Sequence, residues 1–520
     1  MQINSKFYRR LGIALMVIGM FGVIFWGFRM LSTVNRLRSD LDRAKSLMDI
    51  DNPLSIKPDE ISSIVMSSLE NIIRLRRDIS LFARMGSYLA WVPKYGPLLS
   101  EASDLLRLAD VATETMVDLW VIAQPVYVDA QEQGIQIDLL LGLLDAITAD
   151  LGDLHTQALH LYSAYQAVKL DAIPWRYRAL FEQVGPLLKI YAHGLPVVDD
   201  VADLIGLEQP DTYLVLALNE DELRPGGGFI SGVGELKLRN GRISSMEFHD
   251  SYQADDYSLP YPDAPAPLQQ FMAIELWVFR DSNWSPDFPT TAQQAIALYR
   301  PSEPVTPSGV IALDQYAASH IVDVVGPLHI PDSDSLVTGE TLVEYIRNAW
   351  APNSEEFNMG WWLEHKSFMG DITRATLDRV ESGAVDWTRL FQTAVSLVEQ
   401  RHIQLYIDNA DVAQFLDHLD WSSQLAFPGQ DSFLFAEANL GYNKVSMNIQ
   451  HQLRYDVDLS QTPPVASASL TLQHLSENDT DCIPEVKYYP DYLQSMERCY
   501  WTYLRFFVPE GAQLLEASEH

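Results

Sequence analysis

Two arginines stand in settings that suit the holding of an oxyanion. Arg224 precedes Pro225 and the run Gly226, Gly227, Gly228, and Arg280 precedes Asp281 in a loop that continues through Asn283 to Asp287. A guanidinium presents a planar fork of donors to phosphate oxygens, and glycine lets backbone N–H groups approach a ligand closely. Arg224 beside three glycines supplies both within a few residues. A structural reading stands next to it: the glycines serve a tight turn or bulge, and Arg224 pairs with Glu220 or Glu222. The Arg280–Asp281 loop, rich in Asn, Ser, Trp and Pro, reads either as a site at a strand end or as a network of Asx turns.

Asp250, Asp255 and Asp256, with Asp287, offer hard oxygen ligands of the kind Mg²⁺ or Ca²⁺ takes. Their spacing follows no calcium-loop template, so a solvated acidic loop is the competing reading. His320, His365 and His402 lack metal-ligand spacing. The chain contains no Gly-x-Ser-x-Gly, phosphate-binding Gly-x-x-x-x-Gly-Lys or paired-cysteine motif.

The elements that must position these residues fall into regions. Residues 32–209 read as a helical stalk or bundle: Ile61, Val65, Leu69, Ile72 and Ile73 recur at helical steps, and Trp91-Val-Pro-Lys-Tyr-Gly-Pro97 breaks the run. From Pro210 the pattern changes. Tyr213–Leu218 is a continuous apolar run typical of a buried strand, and Asn240-Gly241 between two strand-like runs predicts a hairpin. Helical stretches at 289–300, 314–324, 338–349, 361–380 and 387–400 alternate with strands at 309–313, 328–330 and 403–407. That alternation predicts an α/β core over 210–425. Residues 430–520 read as an antiparallel β-rich unit, and the chain stops just after a strand-like segment, as a piece of a longer protein would.

Charge and composition narrow the function classes. Seventy acids against 36 bases give a net charge of −34, which opposes nucleic acid as a partner. The 47 % hydrophobic content supplies a packed core. Cys482 and Cys499 read either as one disulfide outside the cytoplasm or as two free thiols. The uncharged run Leu11–Phe28, preceded by Lys6, Arg9 and Arg10, predicts a transmembrane helix over 11–31, with residues 1–10 cytoplasmic and the bulk extracytoplasmic in a single-pass membrane protein. A cleaved signal peptide lacks its Ala-x-Ala site here.

The segment Leu216-Ala-Leu-Asn-Glu-Asp-Glu-Leu-Arg-Pro-Gly-Gly-Gly-Phe-Ile230, with Phe279–Pro289, Trp91–Gly96 and Ala438-Asn-Leu-Gly-Tyr-Asn-Lys444, resembles the bacterial envelope family catalogued as domain of unknown function 4012. Gly226 stands where that family usually has Thr. A second resemblance, to the LytR-CpsA-Psr phosphotransferases, rests on Gly309–Tyr316, Ile321–Ile330 and Thr338–Arg347. It implies a mixed α/β sheet and transfer of a glycopolymer from a polyprenyl-pyrophosphate carrier to the cell wall, with arginines on the pyrophosphate and acids on Mg²⁺. On that likeness Arg224 and Arg347 fall on family arginines, Asp250 falls near an Arg-Asp pair, and Lys366 and Arg374 fall near later basic residues. His249 replaces the arginine of that pair, and glycine stands at Gly226–Gly228 where the family opens a strand with Asp.

The reading is therefore an α/β core preceded by a transmembrane helix and helical stalk and followed by an antiparallel β unit. The expected catalytic set is Arg224, Arg280, Asp281 and Arg347. Gly226, Gly227, Gly228, Asn283, Lys366 and Arg374 form the expected ligand contacts, and Asp250 and Asp287 the expected Mg²⁺ ligands. The expected role is binding or transfer of a lipid-linked glycopolymer in the envelope. The alternative is a non-catalytic envelope scaffold, which separates from it by whether Arg224, Arg280 and Arg347 gather at one cleft.

Overall fold

The computed structural model describes residue 29 and residues 32–518, except 48–54, 85, 93–95, 134–136, 174, 208, 301–304, 332, 334–335, 351–366, 382–384, 427–430, 477–481 and 483–490. The chain divides into two compact units, Met1–Asp199 and Asp200–His520.

The first unit is helical. Its main elements are α1 (Pro58–Arg84), α2 (Ala102–Gln133), α3 (Ile137–Ala149), α4 (Leu151–Ala167) and α5 (Trp175–Gly194). Proline at the first position of α1 costs the helix no hydrogen bond, because that N–H has no intrahelical partner. Val65 and Ile72 of α1 are buried, whereas Ile73 is exposed. α2 runs on through Pro125 to Gln133. Leu154 and Ala158 of α4 meet Ala192 of α5 in a core that also takes Leu119 and Ile122 of α2.

The expectation of a transmembrane helix over 11–31 is corrected. No helix among the described residues is long and apolar enough to cross a membrane, and all of that stretch except Arg29 lies outside the described residues. The longest helix among the described residues, α2, carries Asp104, Arg107, Asp110, Glu114 and Asp118 within its first five turns, a charge density that hydrocarbon does not accept.

The second unit is mixed α/β. Strands β1 (Asp211–Asn219), β2 (Phe229–Arg239), β3 (Arg242–Asp250), β4 (Gly309–Leu313) and β5 (Ile403–Ile407) form one sheet in the order β3-β2-β1-β4-β5. β1 and β4 are parallel, and the other neighbours are antiparallel. Asn240 and Gly241 have φ of 50° and 69°, the double positive that a type I′ hairpin turn demands. Leu328 makes only an isolated bridge to Val337, so the strand expected at 328–330 does not join the sheet.

One face of the sheet packs Leu214, Leu216 and Ile230 against Phe279 and against Phe288, Ala292 and Ala295 of α6 (Phe288–Leu298). Helices α7 (Gln315–Val325), α8 (Gly339–Trp350), α9 (Ser367–Glu381) and α10 (Trp387–Glu399) build a second core around Val322, Leu328 and Leu342. The later strands β6 (Leu434–Asn439) and β9 (Thr502–Phe507) pair with each other, as do β7 (Ile449–Asp458) and β8 (Val465–His474). Ala438 and Leu440 join Leu268 and Met272 in a third core, so this β-rich stretch is packed onto the α/β elements.

Candidate functional site

The connection from β1 to β2 sets the site. Asn219, the last residue of β1, accepts the Asp221 N–H on its side chain and the Glu222 N–H on its carbonyl. Gly227 donates to the Arg224 carbonyl at 2.9 Å with φ of +115°, which only glycine adopts freely. A Cβ on Gly228 would stand 2.6 Å from the Asn219 carbonyl carbon, and one on Gly226 would stand 2.9 Å from Asn283 Cβ. Gly226 N–H donates to Asn283 O, and Asn283 Nδ2 donates to Gly228 O at 2.6 Å. The glycines and Asn283 thus lock two loops together. Their expected role as ligand contacts gives way to this packing, with Gly226 N–H and Gly227 N–H already bonded within the protein.

Arg224 is 3 % exposed. Its Nη2 donates to Glu222 Oε1 at 3.0 Å and its Nη1 to the Asn439 carbonyl at 2.6 Å, while Nε has no partner. Lys444 Nζ donates to the other oxygen of Glu222 at 2.6 Å. Burial pushes the Glu222 carboxyl up, but the Lys444 ammonium and Arg224 guanidinium outweigh it and hold it below the usual range.

Arg280 donates through Nη1 to Asp255 at 2.6 Å and to the Tyr257 hydroxyl at 3.1 Å, and it lies over the Tyr252 ring at 4.4 Å. Asp281 sits between the two arginines, 3.6 Å from Arg224 Nη2 and 3.9 Å from Arg280 Nε. Both separations exceed hydrogen-bond length. Burial raises the Asp281 carboxyl, against the opposing pull of Arg224 and Arg280; burial likewise raises Asp255.

Glu222, Arg224, Arg280 and Asp281 line a cavity of ≈ 110 Å³ with Tyr252, Tyr442, Lys444 and Tyr492; Trp350 of α8 and Phe368 of α9 add apolar walls. Arg224, Arg280 and Asp281 are therefore brought together, as is Lys444. Arg347 is not on the cavity wall. It grips Asp221 with two bonds of 2.9 and 2.8 Å, and Asp221 also accepts the Tyr492 hydroxyl at 2.6 Å. Arg347 thus orders the wall from behind. Glu220 accepts the N–H groups of Gln315 and Tyr316 at the start of α7. Burial and nearby Asp314 push it up to about 7 despite those donors.

The remaining expected contacts lie elsewhere. Arg374 is exposed and pairs with Asp371 at 3.2 Å on α9, and Lys366 lies outside the described residues. Asp250 and Asp287 cap two different helical turns. Asp250 caps the turn Ser251–Ala254 by accepting the Tyr252 N–H. Asp287 caps α6 through Thr290 N–H and accepts the Leu425 N–H at 2.9 Å. Among the described residues no group of three or more His, Cys, Asp or Glu is placed to hold a metal ion.

Lys444, Tyr442, Tyr252 and Tyr492 join the site without being expected from sequence. Lys444 and Tyr442 fall in the Asn-Leu-Gly-Tyr-Asn-Lys run already singled out, where Asn439 accepts the Gly441 N–H on its side chain. That tight polar loop was the available signal. Tyr252 and Tyr492 carried none. Cys482 and Cys499 form a disulfide.

Residues 208–350, which hold Arg224, Arg280, Asp281 and Arg347, match the family model described as "Protein of unknown function (DUF4012)". No curated protein matches. A solved structure similar to part of the chain is the X-ray structure of the Lin1025 protein from Listeria innocua. It is 12 % identical and the match covers 43 % of this chain and 85 % of that one, with a TM-score of 0.24. So loose an overlay establishes no common fold.

Proposed function

We propose, on the premise that residues 208–350 carry a DUF4012 domain, that this chain is an extracytoplasmic envelope protein that binds a phosphate-bearing glycopolymer or its lipid-linked pyrophosphate precursor. The carrying observation is that Arg224, Arg280 and Lys444 line one cavity, and that Arg224 Nε is buried without a partner. A buried guanidinium donor without an acceptor is costly, and an oxyanion satisfies it. The Cys482–Cys499 bond supports a compartment outside the cytoplasm, where disulfides persist.

The cavity is smaller than the roughly 300–1,000 Å³ of a drug-sized ligand site. It suits a single anionic headgroup, with the glycan or lipid remaining outside. Arg224, Arg280 and Lys444 bring three cations to the cavity wall, and Trp350 and Phe368 add apolar surface.

The test is calorimetric titration of the purified chain with inorganic pyrophosphate and, separately, with geranyl pyrophosphate, each with and without Mg²⁺. Binding that weakens at least tenfold in Arg280→Gln, with the fold intact by circular dichroism, supports the reading. Tighter binding of the geranyl form points to the lipid-linked source, and equal binding to the polymer phosphate. Product release from a lipid-linked glycan by the same protein is the readout for transfer. Binding indifferent to Arg280→Gln sinks the assignment.

A second reading is favoured by one observation. Each arginine already holds a carboxylate: Arg224 has Glu222, Arg280 has Asp255 and Arg347 has Asp221. A purely structural ion-pair network in a non-catalytic scaffold predicts no pyrophosphate binding and a lower unfolding temperature for Arg280→Gln.

A further inference from the structure

We infer that Asp281 is a built-in competitor of the anion, occupying the place between Arg224 and Arg280 that the bound headgroup takes and giving it up by taking a proton. This rests on the binding reading above and adds to it a coupling between the site and pH.

The geometry separates Asp281 from the other carboxylates of the cluster. Glu222 accepts bonds of 3.0 Å from Arg224 and 2.6 Å from Lys444. Asp255 accepts 2.6 Å from Arg280 and 2.9 Å from the Phe279 N–H. Asp281, with its side chain only 2 % exposed, has no hydrogen bond to Oδ1 and touches its two arginines at 3.6 and 3.9 Å. It is the acid of the three held most loosely by donors, and it is buried nonetheless. A buried carboxylate oxygen without a hydrogen bond relies on nearby counter-ions.

An incoming oxyanion draws on those same counter-ions. Two buried anions between one pair of arginines cannot both remain charged, because like charges at this distance disfavour ionisation. The groups facing Asp281 come from three segments. Glu222 and Arg224 belong to the β1–β2 connection, and Tyr252, Asp255 and Arg280 to the segment after β3. Tyr442 and Lys444 follow β6. Glu222 and Asp255 keep their direct donors when the ligand enters. Asp281 loses its only charge partners, so the proton goes to its carboxylate from solvent. Burial already biases Asp281 toward the neutral acid.

Sulfate is the probe, since its charge is fixed between about pH 5 and 8 while phosphate titrates near 6–7. Titrations of the full chain in two buffers of different ionisation enthalpy count the protons taken up. The expected result is uptake approaching one proton per sulfate, with affinity falling by up to roughly tenfold per pH unit as pH rises. Asp281→Asn is near-isosteric; it is expected to bind sulfate more tightly, without proton uptake and without that pH slope.

Sulfate binding by the wild type with no proton uptake overturns the inference and leaves the anion site standing. Weaker binding by a folded Asp281→Asn also overturns it. If the variant does not fold, the wild-type proton count decides alone. Absence of both sulfate and pyrophosphate binding overturns the anion site and this inference together.

Discussion

Lys444 Nζ lies 2.6 Å from Glu222 Oε2, joining residues 222 positions apart, each with a side chain no more than 10 % exposed. The Glu222 carboxylate is shared with Arg224, so removing the ammonium leaves a buried anion with one cation where it had two.

Lys444→Met is therefore expected to destabilise the second unit by about 3 kcal/mol, the lower end for breaking a buried pair from one side. Adding Glu222→Gln to it is expected to recover part of that loss. Urea unfolding of both single variants and the double variant measures the coupling, and strict additivity would count against a direct interaction.

Glu220 and Glu222 have opposite pH signatures. Glu222 lies below its ordinary 4.5 in the folded chain, so its contribution is present above that value and is lost as pH falls through the folded one. Glu220 is raised from 4.5 to about 7. Its folded form keeps a proton that the unfolded chain has released, so its contribution is full below 4.5 and is lost as pH rises toward 7. That swing is on the order of 3 kcal/mol. Glu220→Gln is expected to flatten the fall in stability between pH 5 and 7, as read by thermal unfolding across that range.

Two glycines give opposite expectations for the same substitution. A Cβ on Gly228 meets the Asn219 backbone at 2.6 Å, and backbone cannot rotate away. Gly228→Ala is expected to destabilise by about 2 kcal/mol or more through overpacking. Gly142 in α3 has no atom within 4 Å of such a Cβ. Gly142→Ala is expected to stabilise the first unit by roughly 0.5–1 kcal/mol. Chemical unfolding of each variant decides, and equal effects would contradict the placement of the β1–β2 turn.

The Cys482–Cys499 bond spans 17 residues, a loop for which chain-entropy arguments give about 3 kcal/mol. Thiol titration of the oxidised, denatured protein is expected to find no free cysteine, and the reduced protein two. Reduction is expected to lower the unfolding temperature. Two reactive thiols without reductant would refute the bond and remove a support for the extracytoplasmic reading.

Local chemistry alone determined several elements. Asn240-Gly241 made a hairpin because both residues tolerate positive φ, and it did so whatever lay elsewhere. The apolar run of β1 became a buried central strand, and Asp314 capped α7 through a backbone contact three residues away. What a residue does to its neighbours within a turn or a strand is written in their types. The pairing of charges is not. Arg224 stands near Glu220 and Glu222 in sequence, yet it also meets Asn439 and Asp281, brought in by folding. Glycines that looked fit to cradle a ligand were instead filled by Asn283 and Asn219. With 70 acids available to 36 bases, composition cannot say which carboxylate meets which cation. Only the tertiary packing of β6, α8 and the β1–β2 turn chose Glu222 for Lys444 and Asp221 for Arg347, because burial leaves each cation only the acids within a few ångströms.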